Sequence, residues 1–426
     1  MLPAMMSWLA ASMALLVSPD HLRLWGNLAG HIGTGFWIVA AGAAALFALS
    51  VASYRRLEIS AAGAGGYLAA LKEHGGGTAI ALALTGRLAL TIGLSTGILA
   101  TSGFVFNETF VYWFPNFGFA FLYLAAVALV LCRGYGLAER IMTGLVAITL
   151  AGLMVLVLAG FLQTGQPPTP DDRPPSGFGA GTVFSGLLLF VGFDLGIHRR
   201  EHLRGTGAAT KMMLAALGMT VVLLSMWGAV SLAHVPAPRL AETFIPYTLA
   251  ARQIGGQAGR ILMGIVLIAG TGCAVISLFS TSARMVTSLA HMDMLPRFCR
   301  GSARRNLWAT LVLAFAVAAM MAAGAAGAPE LEVFIRAAFV LWLLHIILVH
   351  LAALKARVAK TSAAFRRITW LTVPSAALTG AGMVYLWVTD DRRALLSTCI
   401  FALWSGGAML LFVVRLAKGR KTSPAV

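Results

Sequence analysis

Apolar residues run along this chain in long blocks, separated by short clusters of charge. Twelve blocks approach the length of a bilayer, near residues 3–17, 31–53, 77–105, 115–132, 141–163, 180–198, 211–233, 260–290, 306–324, 332–354, 369–389 and 394–414. About 20 apolar residues cross a hydrocarbon core as a helix. The pattern therefore predicts an all-α integral membrane protein with about 12 transmembrane helices. The first block is short, at about 15 residues against the roughly 20 needed. That predicts either a broken first helix or a start lacking a few residues. No Lys or Arg precedes the block, whereas a cleaved signal peptide opens on a basic region. The block is therefore kept as a membrane helix.

Two stretches interrupt the pattern. Gln163 to Gly181 is rich in Pro and Gly and reads as a linker. It falls after five helices, where two head-to-tail five-helix repeats would place it. The units are then 1–164, a linker at 165–178, 179–355, and 356–426 with the last two helices and a tail. The second interruption is Gly192-Phe193-Asp194-Leu195-Gly196, two glycines and a carboxylate inside an apolar run, followed by Arg199 and Arg200. Glycine costs a helix about 1 kcal/mol relative to alanine. An ionisable group in a membrane helix is itself a site hypothesis. One segment thus offers a place to unwind and a charge to bind with. The plain alternative is a helix end at which Asp194 is solvated and paired to Arg199 or Arg200. Further on, Leu240 to Ile254 reads as a short surface helix closed by Gly255-Gly256.

Composition agrees with the pattern. Of 426 residues 59% are apolar and 11% charged, with a mean hydropathy of +0.84. Soluble domains carry about 25% charged residues, so little of the chain is left for one. The net charge of +17 would suit nucleic acid, but the cations sit between apolar blocks, as in a polytopic membrane protein. Twenty-three Lys and Arg fall in alternate connections and the tail, against eight on the other side. This bias predicts cytoplasmic termini, and the protein is expected in the bacterial inner membrane. Arg87 stands apart, some ten residues from either end of its block. Too deep to snorkel easily, it is expected to face the bundle interior, there to recognise an acidic side chain, hold a gate, stand in for a coupling cation, or pair structurally with Asp194 or Glu108.

Catalytic signals are missing. The sequence holds no G-x-S-x-G, HExxH, phosphate-binding loop or dinucleotide fingerprint, so neither an enzyme nor a cofactor is expected. Cys132, Cys273, Cys299 and Cys399 have no metal-ligand spacing. His345 and His350 lie about 140° apart around a helix, which favours packing or solvation at the cytoplasmic end over a shared metal. Trp8, Trp37, Trp113, Trp308, Trp370 and Trp387 lie near block ends, as aromatic belts do.

Four fragments, in order, resemble the amino acid–polyamine–organocation permeases. They are Ser53-Tyr54-Arg55-Arg56-Leu57-Glu58 with Gly65-Gly66-Tyr67; Phe190-Val191-Gly192-Phe193-Asp194; Ile254-Gly255-Gly256-Gln257-Ala258-Gly259; and Ser280-Thr281-Ser282-Ala283-Arg284 with His291 to Pro296. The resemblance covers roughly residues 30–300. It implies a LeuT-like inverted repeat of five plus five helices with two added at the C-terminus. It also implies secondary transport of an amino acid or related small amine by alternating access, driven by protons or by exchange. The partners would be that solute and the lipid bilayer, with no nucleic acid; a homodimer is compatible with the family.

By the same carry-over, helices one and six are discontinuous. Freed N–H groups at one half-helix suit a carboxylate, and freed carbonyls suit an ammonium. Ala11, Ser12 and Met13 would supply first-helix amides. Phe190, Val191 and Gly192 would present carbonyls, with Phe193 closing over the ligand and Ser277 and Leu278 facing it. Asp194, Arg87, Arg199 and Arg200 would gate or couple. One departure is plain: Ala10 to Ala14 lacks the glycines that break the family's first helix, and alanine is the best helix former. That departure feeds a rival expectation, a non-transporting membrane subunit or sensor on the same fold.

Overall fold

The computed structural model describes residues 2–60, 66–163, 179, 186–197, 207–292, 294, 303–324 and 329–356, with six positions between 373 and 384. The linker at 165–178, Arg199, Arg200, Trp370, Trp387 and almost all of 357–426 lie outside the described residues. The described residues are all-α, without strands. Seven of their helical stretches are long and apolar enough to cross a membrane; shorter apolar helices lie at Met5–Ala14, Gly186–Ile197 and Leu307–Ala322.

The first span differs from the hydropathy reading. Helix α1 (Leu2–Ala14) ends in a turn at residues 15–17, and α2 (Pro19–Ile32) resumes beyond Ser18. Asp20, His21, Arg23, Asn27 and His31 lower the hydropathy of α2 below that of a membrane block, so the sequence reads it as a loop. One face of α2 is nonetheless buried, through Leu22, Trp25, Leu28, Ala29 and Ile32. The short first block is thus half of a two-part span. Its break lies just beyond Ala10–Ala14: α1 continues through Ala11, Ser12 and Met13, so those three amides are not at the discontinuity. Pro19 explains the position, since proline is tolerated in the first turn of a helix but not in its interior.

Helix α3 (Phe36–Ser60) follows after a single 3₁₀ turn. Helix α4 (Gly66–Thr109) bends at Gly76, where φ is 77°, so that a short arm precedes the span. Helices α5 (Asn116–Arg133) and α6 (Tyr135–Leu162) are joined through Gly134. Helix α7 (Ala208–His234) leads to a short α8 (Ala237–Glu242) and then to α9 (Pro246–His291), which bends at Gly256. The expected surface helix 240–254 is therefore two pieces, divided at residues 243–245. Helices α10 (Ala303–Ala322) and α11 (Pro329–Lys355) complete the described spans.

The core sits around α4 and α9, which pack against each other while α4 also meets α11 and α9 meets α6. Helix α5 is mostly turned outward, with Leu122 and Leu129 exposed. Lipid is as apolar as leucine, so close packing and interhelical hydrogen bonds hold such a bundle rather than escape from water. Glycines of α2 serve this: a Cβ on Gly30 would run into the α8 backbone at Ala241, and one on Gly26 would lie 2.7 Å from Pro246.

Of the expected aromatic belt, Trp37, Trp113 and Trp308 are exposed, whereas Trp8 is 4% exposed and packs near Ala208 and Ala209. Trp8 is a core residue. Its run continues into α2, so it does not mark the end of a span.

Candidate functional site

Between Gly186 and Ile197 the backbone is not α-helical. A 3₁₀ turn spans Gly186–Phe190, residues 191–194 form turns, and a second 3₁₀ turn follows at 195–197. The local sequence accounts for this. Gly192 has φ 92°, a conformation that residues with a Cβ seldom adopt. A Cβ there would also lie 2.9 Å from that of Leu15. The glycine therefore turns the chain and admits Leu15, a residue of the first break. The two discontinuities touch.

Beside them lies a buried polar cluster. Asp194 is fully buried and forms an ion pair with Arg87 of α4, itself 3% exposed. Tyr54 of α3 donates its hydroxyl to Asp194 Oδ2 at 3.1 Å, and the same Oη lies 3.2 Å from His345 Nε2 of α11. Tyr67 of α4 closes the group, its ring 5.2 Å from that of Tyr54 and 6.4 Å from His345. Helices α3 and α4 thus meet one carboxylate, and α11 reaches it through Tyr54. Of the two partners expected for Arg87, the structure selects Asp194 over Glu108. Asp194 is buried rather than solvated; Arg199 and Arg200, its partners in the plain reading, lie outside the described residues.

Burial of both charges is costly unless they are paired and further hydrogen-bonded. Arg87 supplies the pairing and Tyr54 the additional bond.

Helix α9 attends to both breaks. Ser277 Oγ donates to Ala11 O in the last turn of α1 at 3.1 Å, and Thr281 Oγ1 donates to Leu195 O of the unwound segment at 3.2 Å. Cys273 Sγ contacts Ala14 O at 3.4 Å. Two further α9 hydroxyls bond within the helix, Thr271 to Leu267 O and Ser280 to Ser277 O.

At the start of α2, Ser18 Oγ lies 3.1 Å from His21 Nδ1. His21 is buried, its ring turned to the backbone of Val191 in the unwound segment. Helix α2 has no side-chain cap, and Pro19 has no N–H, so the amide of Asp20 heads the half-helix.

The carried-over residues occupy this region. Ala11, Ser12, Met13, Phe190, Val191, Phe193, Ser277 and Leu278 are all fully buried. Ser12 stands against Gly196, and Phe193 packs on Phe47 and Trp342, with ring centroids 5.2 and 6.2 Å away. The two histidines of α11 both face α3, through different partners. His350 lies 3.1 Å from Ser50 Oγ and 2.9 Å from Ser53 Oγ, while His345 meets Tyr54. Both are buried, so neither is solvated at a helix end.

Tyr54, His345 and His21 are missed by sequence reasoning. Tyr54 lies inside the quoted Ser53–Glu58 fragment, which was the available signal. A further group ties α1 to the bundle: Arg284 of α9 pairs with Glu139 of α6, Ser7 Oγ donates to Glu139 Oε2 at 3.2 Å, and the guanidinium lies 5.1 Å from the centre of the Tyr135 ring.

No protein-family model matches the chain, and no curated protein matches it in sequence. Solved structures do. The manganese transporter of Eremococcus coleocola, in complex with an aromatic bis-isothiourea substituted compound, superposes with a TM-score of 0.63 at 12% identity, covering 98% of this chain and 94% of that one. Two mutant forms of that transporter give 0.61 at 13% identity, covering 98% and 95%. Identities this low speak to the fold alone, and the agreement extends over nearly the whole of both chains. The chain has the fold of a multi-pass membrane transporter.

Proposed function

We propose that the protein is a secondary active transporter moving an amino acid or related small amine across the membrane by alternating access. The supporting observation is the meeting of two backbone discontinuities in the bundle core, each with a carbonyl held by a hydroxyl of α9. A backbone carbonyl accepts a hydrogen bond from an ammonium as readily as from serine or threonine, and an ammonium brings several N–H donors at once. A solute amine would displace Ser277 and Thr281 from Ala11 O and Leu195 O without leaving either carbonyl unsatisfied. A solute carboxylate suits the head of α2, where partial positive charge gathers. In this closed state the residues around the breaks are buried, as an occluded stage of alternating access requires.

Manganese, which the similar transporter carries by name, is the competing cargo. A hard divalent cation takes oxygen ligands. Asp194 is already engaged by a guanidinium, so the ion would have to displace Arg87. This favours an organic amine.

Purified protein in proteoliposomes tests the reading, with uptake of each of the twenty labelled amino acids, common amines, and manganese measured separately. Saturable uptake of at least one amine is expected. In Asp194→Asn it should fall by about tenfold or more, equivalent to ~1.4 kcal/mol. Saturable manganese uptake alone would replace the substrate class. No saturable flux at all would favour the non-transporting subunit or sensor.

A further inference from the structure

The hydroxyl of Tyr54 carries one proton and faces two acceptors. It donates to Asp194 Oδ2, so the 3.2 Å contact with His345 Nε2 is satisfied only if that nitrogen carries a hydrogen and donates to Tyr54 Oη. The three groups then form a directed chain, His345 Nε2–H to Tyr54 Oη–H to Asp194 Oδ2. The far nitrogen of the ring, Nδ1, is buried and has no hydrogen-bond partner among the described residues. Among the described residues, the charged and titratable groups facing His345 are Tyr54 from α3, Tyr67 and Arg87 from α4, and Asp194 from the unwound segment. Only Asp194 in this set is an anion.

We propose that His345 and Tyr54 form a proton relay that delivers a proton to Asp194 and thereby releases the unwound segment from Arg87. A proton arriving at His345 Nδ1 makes an imidazolium. The ring then passes its Nε2 proton to Tyr54 Oη as Tyr54 passes its own to Asp194 Oδ2. Afterwards the ring is neutral again with its hydrogen on Nδ1, Tyr54 is a phenol that now donates to Nε2, and Asp194 is a carboxylic acid. One proton has been gained and no other bond has changed. A neutral Asp194 no longer balances Arg87, so the ion pair anchoring residues 186–197 to α4 is lost. Return of the proton restores it.

This relay rests on the transporter reading and names its coupling device, but its test needs no solute. The full chain, reconstituted in phosphatidylethanolamine–phosphatidylglycerol vesicles, is followed by time-resolved infrared spectroscopy after an acid jump. A carboxylic-acid C=O band is expected in the wild type and should be missing in Asp194→Asn. If that variant does not fold, Asp194→Glu assigns the band by moving its frequency. In Tyr54→Phe and in His345→Gln the band should rise about a hundredfold more slowly, the scale of positioned proton transfer, with the helical amide signal unchanged. A band rising at the wild-type rate in both variants overturns the relay, as does the absence of any band that depends on Asp194. Loss of solute uptake with the band intact would instead remove the transporter reading and leave the relay standing.

Discussion

Arg87 and Asp194 show what a single residue pair does to this bundle. Removing one partner leaves a buried charge without its ion-pair partner, whereas removing both leaves apolar surface that repacks. Arg87→Leu or Asp194→Leu alone is therefore expected to cost about 3–5 kcal/mol, and the double variant Arg87→Leu/Asp194→Leu to recover most of that. Reversible unfolding in mixed detergent micelles measures the difference. The pair was legible in the sequence because a charge deep in an apolar block is conspicuous by itself. Tyr54 and His345 were not. Both side chains are neutral and amphipathic, and nothing along one sequence brings positions 54, 87, 194 and 345 together.

Helices show the same division between what patterning reveals and what packing decides. Long apolar spans such as α5 and α7 lie close to their expected limits because lipid-facing helices must be apolar on most sides, whereas α6 begins six residues before its apolar block. Helix α2 escaped notice because Asp20, His21, Arg23, Asn27 and His31 interrupt its apolar pattern, although the helix packs against α8 and the unwound segment. The break at 192 was readable, since glycines and a carboxylate announce it. The break after Ala14 was not, because Leu15, Leu16 and Val17 carry the apolar block past it and the new helix begins only at Pro19. Two glycine substitutions separate these effects. Gly192→Ala combines a disfavoured φ with a collision against Leu15 and should cost about 1–3 kcal/mol from backbone strain alone. Gly218→Ala, in the exposed middle of α7 with nothing within 4 Å of the new Cβ, should be neutral or stabilise by up to about 1 kcal/mol. Thermal unfolding of the two variants beside wild type checks both signs.

At the scale of the molecule, a scaffold around α4 and α9 encloses the two interrupted spans, and α5 lies outside it. That arrangement predicts two different environments for two leucines. A spin label on Leu122→Cys should show the oxygen accessibility of lipid, since Leu122 is 62% exposed, while one on Leu278→Cys should not. Leu278 should instead become reactive toward a water-soluble thiol reagent once the bundle opens to either face. Continued protection of Leu278→Cys in the presence of a transported solute would contradict alternating access at this site.

The hydroxyls of Ser277 and Thr281 sit one helical turn apart on the same side of α9, one fastened to each interrupted span. A modest roll of that single rod would unlatch both spans in the same movement, and rolling back would catch both again. The two halves of the pathway are in effect keyed to a common camshaft, so opening should register as one relaxation in stopped-flow traces, with no half-unlocked species between.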